Sequence, residues 1–189
     1  MSKLEWRPGN MLYPVPAVMV SCATKKGKNN ILTIAWTGTI CSDPVMVSIS
    51  VRPSRYSYQL IRDTGEFVIN LTTRDLVRAA DWCGVRSGEK WDKFKEMKLT
   101  PGEAKHLEYA PIIEESPVNI ECKVTDVLKL GSHHMFMAEV VGVLVSEEYM
   151  TDSGKFNLED TGLIAYSHGA YCPLGEKIGT FGYSVRKKN

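Results

Sequence analysis

Residues Asp43 to Ser57, DPVMVSISVRPSRYS, commit this chain to a strand that runs straight into a helix start. From Val45 the residues alternate: Val45, Val47, Ile49 and Val51 fall on one face, and Met46, Ser48, Ser50 and Arg52 on the other. The apolar face seats the strand on a core, while the opposite face carries two hydroxyls and a guanidinium in line. Pro53 and Ser54 then open a helical pattern whose first-turn N–H groups have no partner inside the helix. Those donors, the helix dipole, Ser50, Ser54, Ser57, Arg52 and Arg55 together form a candidate phosphate seat. The same residues also read as a capped helix on an edge strand with solvated arginines.

Five further segments carry strand patterns: Val15–Ala23, Ile31–Thr37, Phe67–Leu71, Val118–Leu130 and Phe136–Val145; the first strand above is read as Val45–Arg52. The polar run Lys25–Asn30, KKGKNN, suits a hairpin loop, and Gly131-Ser132-His133 turns the last two strands into each other. Helices are expected over Ser54–Arg62 and Arg74–Cys83. The second places Leu76, Ala79, Ala80 and Cys83 on one face, with Thr72 or Thr73 as its cap. Adjacent strands with short links favour a mainly β fold with inserted helices, an antiparallel barrel rather than a doubly wound sheet. At 189 residues the chain suits one domain, spanning 1–189, with a substantial core.

Composition narrows the function classes. Lys plus Arg is 23 against 22 Asp plus Glu, so no basic field points to nucleic acid. The closing Arg186-Lys187-Lys188 run reads as a solvated terminus. Cys22, Cys41, Cys83, Cys122 and Cys172 form no CxxC pair, which argues against a zinc knuckle or dithiol motif and for reduced thiols in a cytoplasmic protein. The N-terminal MSKLEWRPGNMLYPVP lacks the charge and apolar order of a signal peptide, and the apolar runs are too short to cross a bilayer. No GxGxxG follows a strand, and GxxxxGK[ST], HExxH and GxSxG do not occur.

Three constellations remain. Thr37, Gly38, Thr39, Cys41 and Ser42 form a loop of small residues at a strand end, where a flat ligand can approach backbone donors because Gly38 has no Cβ. Read otherwise, the segment is a tight crossover with Trp36 filling core. Arg86-Ser87-Gly88-Glu89-Lys90-Trp91-Asp92-Lys93-Phe94 offers a Ser-Gly turn and two lysines as mobile point charges for an anion, or one helical turn anchored by Trp91 and Phe94. His133 and His134 are adjacent on a strand and point to opposite sides, so they do not form one metal site.

The ordered set ILTIAWTGTICSDP, VSISVRPSRYSYQLI, EFVINL, ADWCGVRSGEKWDKF, SPVNIECKV and GSHHMFMAEVVGV resembles the flavin reductase-like, FMN-binding split-barrel family, flavoredoxin-type branch. The likeness runs from about Leu12 to Gly182. His133–Val140 stands where the family has HT.FIGEV, with His134 for Thr and Ala138 for Gly. The resemblance implies a six-stranded antiparallel Greek-key barrel that forms a homodimer, with FMN in a groove near the subunit interface. On that basis Thr37, Gly38, Thr39, Cys41 and Ser42 would line the isoalloxazine. Ser50, Val51, Arg52, Ser54 and Ser57 would hold the phosphate end, closed by Ser87 and Lys93, with His133 near the ring. The implied chemistry is hydride transfer from NADH or NADPH to FMN, without a side-chain nucleophile, and then onward to free flavin or a redox protein. A flavoredoxin-like electron carrier reduced by a partner is the alternative, and a split barrel that binds haem or another ligand is the third reading.

Overall fold

The computed structural model describes residues 1–186, so Lys187 and Lys188 of the basic run lie outside the described residues. In chain order the strands and helices are β1 (Val15–Pro16), β2 (Val18–Ala23), β3 (Asn29–Ile34), β4 (Thr37–Ser42), β5 (Val45–Val51), α1 (Tyr56–Thr64), β6 (Glu66–Leu71) and α2 (Val77–Val85). They continue as α3 (Lys93–Met97), β7 (Pro101–Gly102), β8 (Ile112–Ile113), β9 (Val118–Lys129), β10 (His134–Val145), β11 (Ile164–Ser167) and β12 (Ala170–Pro173). Strands stand at all six places read from the sequence, but Val15–Ala23 breaks at Ala17 into β1 and β2, which join different sheets. Both helices begin later than the pattern suggested. Before α1, the Arg55 N–H donates to the Arg52 carbonyl at 2.9 Å, so Pro53 and Ser54 form a turn rather than a first helical turn. Leu76, not Thr72 or Thr73, caps α2, with no side-chain hydrogen bond.

The main sheet is antiparallel, in the order β3-β2-β6-β9-β10-β5-β4. It has seven strands, not six. The extra one is β4, expected as a loop because its residues are small and polar. Those residues instead pair with β5, Thr37 opposite Ile49 and Ser42 opposite Val45, across the tight Asp43-Pro44 turn. The ladder continues one step further, where the Ser50 N–H donates to the Trp36 carbonyl at 2.9 Å. Only Ala35 and Trp36 separate β3, on one sheet edge, from β4 on the other. This short connection curls the sheet into the split barrel.

Alternation then fills the barrel. Val18, Val20 and Cys22 of β2 meet Val47, Ile49 and Val51 of β5, Phe67 and Ile69 of β6, Cys122, and Phe136 and Ala138 of β10. Leu60 and Ile61 of α1 plug the same core. The other face of β2 and β3 is also covered: Met19 and Ile31 pack with Leu76, Ala79, Ala80 and Cys83, the face expected for α2, and with Phe94. At Gly84 an added Cβ would stand 3.2 Å from Thr33 Cβ, and Thr33 Oγ1 donates to the Ala80 carbonyl, so α2 lies hard against β3. A separate sheet of order β1-β11-β12 brings residues from both ends of the chain together. Its C-terminal hairpin was not read from the sequence. Among the described residues no helix is long and apolar enough to cross a membrane.

Candidate functional site

Where β5 leaves the sheet and α1 begins, the polar face of the strand borders a cleft of about 450 Å³. Ser50, Val51, Arg52 and Arg55 form one side, and Leu32, Thr33, Ile34, Ala35 and Trp36 the floor between β3 and β4. The opposite wall is aromatic: Tyr13, Tyr166 and Tyr171 come from the terminal segments and the small sheet. Tyr166 packs against Tyr13 at 6.1 Å and against Tyr171 at 5.5 Å between ring centres. The Tyr171 hydroxyl donates to Asp81 Oδ1 at 3.2 Å. Burial, reinforced by the Asp81 charge, pushes the Tyr171 phenol up to about 12, so it stays protonated and holds this acid.

The two histidines diverge as strand geometry requires. His133 faces the cleft, with its ring 4.5 Å from that of Trp36, and Trp36 is not core but 42% exposed. His134 turns away, its Nδ1 2.7 Å from the Tyr58 hydroxyl. Partial burial holds His133 below the usual imidazole range, and the guanidinium charges of Arg52 and Arg55 add to the effect. A neutral imidazole therefore lines the cleft near neutral pH.

A smaller pocket of about 100 Å³ opens beside the cleft and shares Leu32 and Arg55 with it. Its walls include Asn30, Ser54, Ser57, Arg86, Ser87, Gly88 and Lys93. The structure thus brings Ser54 and Ser57 together with Ser87 and Lys93, two stretches of chain that the family resemblance joined. Lys93, however, is not a mobile charge. It is buried, and its Nζ donates to the carbonyls of Ile31 at 2.6 Å and Cys83 at 2.7 Å. Burial pulls its ammonium down to about 8. Among the described residues, Arg52, Arg55 and Arg86 have no carboxylate partner, and the one ion pair, Lys177 with Glu159, lies elsewhere. Arg55 borders both recesses, Arg52 the cleft and Arg86 the small pocket, so each recess offers two unpaired guanidiniums to an anion.

Thr37 and Gly38 line a third recess of about 550 Å³, which shares Tyr13, Ala35, Trp36 and Ser50 with the cleft. Thr39, Cys41 and Ser42 are not brought to any of these three recesses. The strand pairing of β4 carries them on toward the Asp43-Pro44 turn, where Cys41 Sγ contacts the Asp43 carbonyl. The sequence reading missed Asn30, Trp36 as a lining residue, and the tyrosine wall. Trp36 lay within the motif already singled out, and its position one residue before a glycine-containing segment was the available signal. Tyr166 and Tyr171 had none, because they sit in an unread hairpin.

Comparison with known proteins places this arrangement. The flavin reductase like domain matches residues 10–175. The flavoredoxin of Desulfovibrio vulgaris (Miyazaki F) superposes with a TM-score of 0.90 at 29% identity, over 98% of this chain and 100% of that one. Flavoredoxin from Methanosarcina acetivorans gives a TM-score of 0.88 at 25% identity, over 97% of each chain. The reductase component of a 4-nitrophenol 4-monooxygenase/4-nitrocatechol 2-monooxygenase from Rhodococcus opacus is 28% identical over 58% of this chain and 55% of its own length. With the profile match covering most of its length and the split barrel superposing throughout, this chain belongs to the flavin reductase-like family.

Proposed function

We propose that this protein is an FMN-binding oxidoreductase that takes hydride from NADH or NADPH and passes electrons to free flavin or to a redox protein. The observation that carries this reading is the joined pair of recesses: a broad cleft with an aromatic wall, beside a small polar pocket lined by Arg55 and Arg86. A flat ring system fits the first and one phosphate group the second.

The pocket residues suit the phosphate: Arg55 and Arg86, which have no carboxylate partner among the described residues, bring positive charge to its wall. When bound, FMN supplies the ring that accepts hydride or electrons. The chain's own residues bind and orient. Arg52 and Arg55 offset the phosphate charge, while Ser54, Ser57 and Ser87 offer hydroxyl donors at its rim. Trp36 and neutral His133 flank the ring side of the cleft, and the tyrosine wall limits water on the opposite side. Residues from Tyr13 to Tyr171 meet in one cleft, which supports a single functional unit across 1–189. Burial raises the thiols of Cys22 and Cys122 to about 12 and that of Cys83 to about 11, which suits unreactive cysteines in a reducing cytoplasm.

The likeness to two flavoredoxins supports a second reading, an FMN electron carrier reduced by a partner protein. Anaerobic mixing of the FMN-loaded protein with NADH and then NADPH separates the two. Rapid bleaching of the flavin absorbance by either nucleotide is expected for the oxidoreductase. Flavin that stays oxidised with both nucleotides, yet is reduced through a redox protein, moves the protein to the carrier class.

A further inference from the structure

We infer that Trp91 is a positioning residue of the small pocket, holding Arg86 at its wall with the guanidinium charge left free for a phosphate; this rests on the FMN reading above. Arg86 lines the pocket and is exposed, and its guanidinium carbon lies 6.0 Å from the centre of the Trp91 ring, over its face. A planar guanidinium stacks on an indole because the negative face of the ring attracts it. Trp82 fixes both partners. Its carbonyl accepts from the Arg86 N–H at 3.1 Å, and its ring meets that of Trp91 edge to face at 6.0 Å. Trp82 packs in turn against the buried face of α2, so the platform is tied to the core. The Trp91 N–H donates to the carbonyl of Ser87, itself a wall residue, at 3.2 Å.

An aromatic platform does for Arg86 what a carboxylate cannot. A carboxylate would hold the side chain as firmly, but it would cancel the charge and occupy the paired donors. Two acids stand in the same loop, and neither takes it. Asp92 accepts from the Lys95 N–H at 3.2 Å, and among the described residues Glu89 forms no ion pair. A ring face attracts the cation and leaves the N–H groups in the guanidinium plane open to a ligand. The device occurs twice at this pocket. Lys28 Nζ sits 5.2 Å over the ring of Tyr56, another wall residue, again with no carboxylate partner among the described residues. Without the Trp91 face, Arg86 would spread over its rotamers in solvent, and phosphate binding would include the loss of that freedom. Trp91 thus sets how strongly the pocket prefers a phosphate to a neutral end.

Fluorescence titration of the apo-protein with FMN and with riboflavin tests this directly, because the two ligands share a ring and differ in the phosphate. Wild type is expected to prefer FMN, and Arg86→Ala should cut that preference by about tenfold or more. Trp91→Leu should cut it by about fivefold, with riboflavin affinity unchanged. Trp91→Phe keeps a ring face and should stay within about twofold of wild type. In the Arg86→Ala background, Trp91→Leu should reduce the preference no further, since the two residues act through one contact. Trp91→Gln replaces the leucine variant if that one does not fold. A merely structural role would weaken FMN and riboflavin in parallel, and that result overturns the inference. So does a leucine variant with the wild-type preference, or one whose loss persists without Arg86, or a wild type that binds the two ligands equally. Wild type that binds neither FMN nor riboflavin would instead remove the flavin reading itself, and the inference with it.

Discussion

A lysine that meets two backbone carbonyls and no carboxylate is held by geometry rather than by charge. Asp92 caps α3 by accepting from the Lys95 N–H at 3.2 Å, and this places Lys93 as the first helical residue, facing inward. Its stem passes into the core beside Phe94, and its ammonium ties β3 to the end of α2 through Ile31 and Cys83. The sequence could not single out Lys93 from Lys90 as the buried one, because both stand in one polar run and only the cap sets the helical phase. The energetic consequence has a definite sign. Its folded pKa of about 8 lies below the ordinary 10.5, so between these values the unfolded chain binds more protons than the folded one. This group's contribution to stability therefore rises as pH climbs from about 8 toward 10.5. Lys93→Met removes both the charge burial and two hydrogen bonds. The variant should be near wild type at about pH 7 and less stable by roughly 1–3 kcal/mol at about pH 10. Urea unfolding at the two pH values checks this; a difference that does not grow with pH would show that Lys93 is protonated throughout.

Strands position this site, and two of them also anchor the segment that covers the barrel's outer side. Glu121 of β9 accepts from the N–H groups of Lys105 at 2.7 Å and His106 at 2.8 Å. Glu66 of β6 accepts likewise from Glu108 and Tyr109. Both carboxylates are buried, and Val68 lies opposite Glu121 in the ladder, so the two clamps stand on neighbouring strands. Gly142 sits at a register shift in β10, and a Cβ there would meet the His106 ring at 2.4 Å. Glu121→Gln puts an NH₂ against one of two N–H donors and should cost about 1–3 kcal/mol. Amide exchange at Lys105 and His106 should accelerate more than at the β9 core; unaltered protection there would mean that the clamp does not hold the segment. At this scale the sequence was legible where one face was apolar. Val47, Ile49 and Val51 announced β5, and Ala79, Ala80 and Cys83 announced α2. Glu121 inside β9 gave no sign, because its partners are backbone groups sixteen and fifteen residues away. The strand β4 was hidden for a related reason: Thr37, Gly38 and Thr39 carry no apolar alternation, and pairing with β5 alone makes them extended.

Considered whole, the molecule carries its cleft between a complete barrel and two terminal segments that have little core of their own. Tyr13 and the β11–β12 hairpin wall the cleft, yet the chain on either side leaves large apolar groups in solvent. Trp6 is 74% exposed, Leu12 87%, Ile178 97% and Phe181 fully so. Burying side chains of this size is worth about 1.5–3 kcal/mol each, so a surface bearing several of them favours a partner that covers them. A second copy of this chain is the expected partner, because an isologous contact would cover the same residues on both subunits at once. Sedimentation equilibrium at micromolar protein should therefore give twice the 21.1 kDa chain mass. The double variant Trp6→Ser, Phe181→Ser should shift the dimer dissociation constant upward by at least about tenfold, in line with the loss of two buried aromatic anchors. Its urea midpoint should stay near that of wild type measured at low concentration, since neither side chain packs in the barrel. A wild type that sediments as a monomer, or a double variant that dimerises undiminished, would show that these terminal segments find their cover elsewhere.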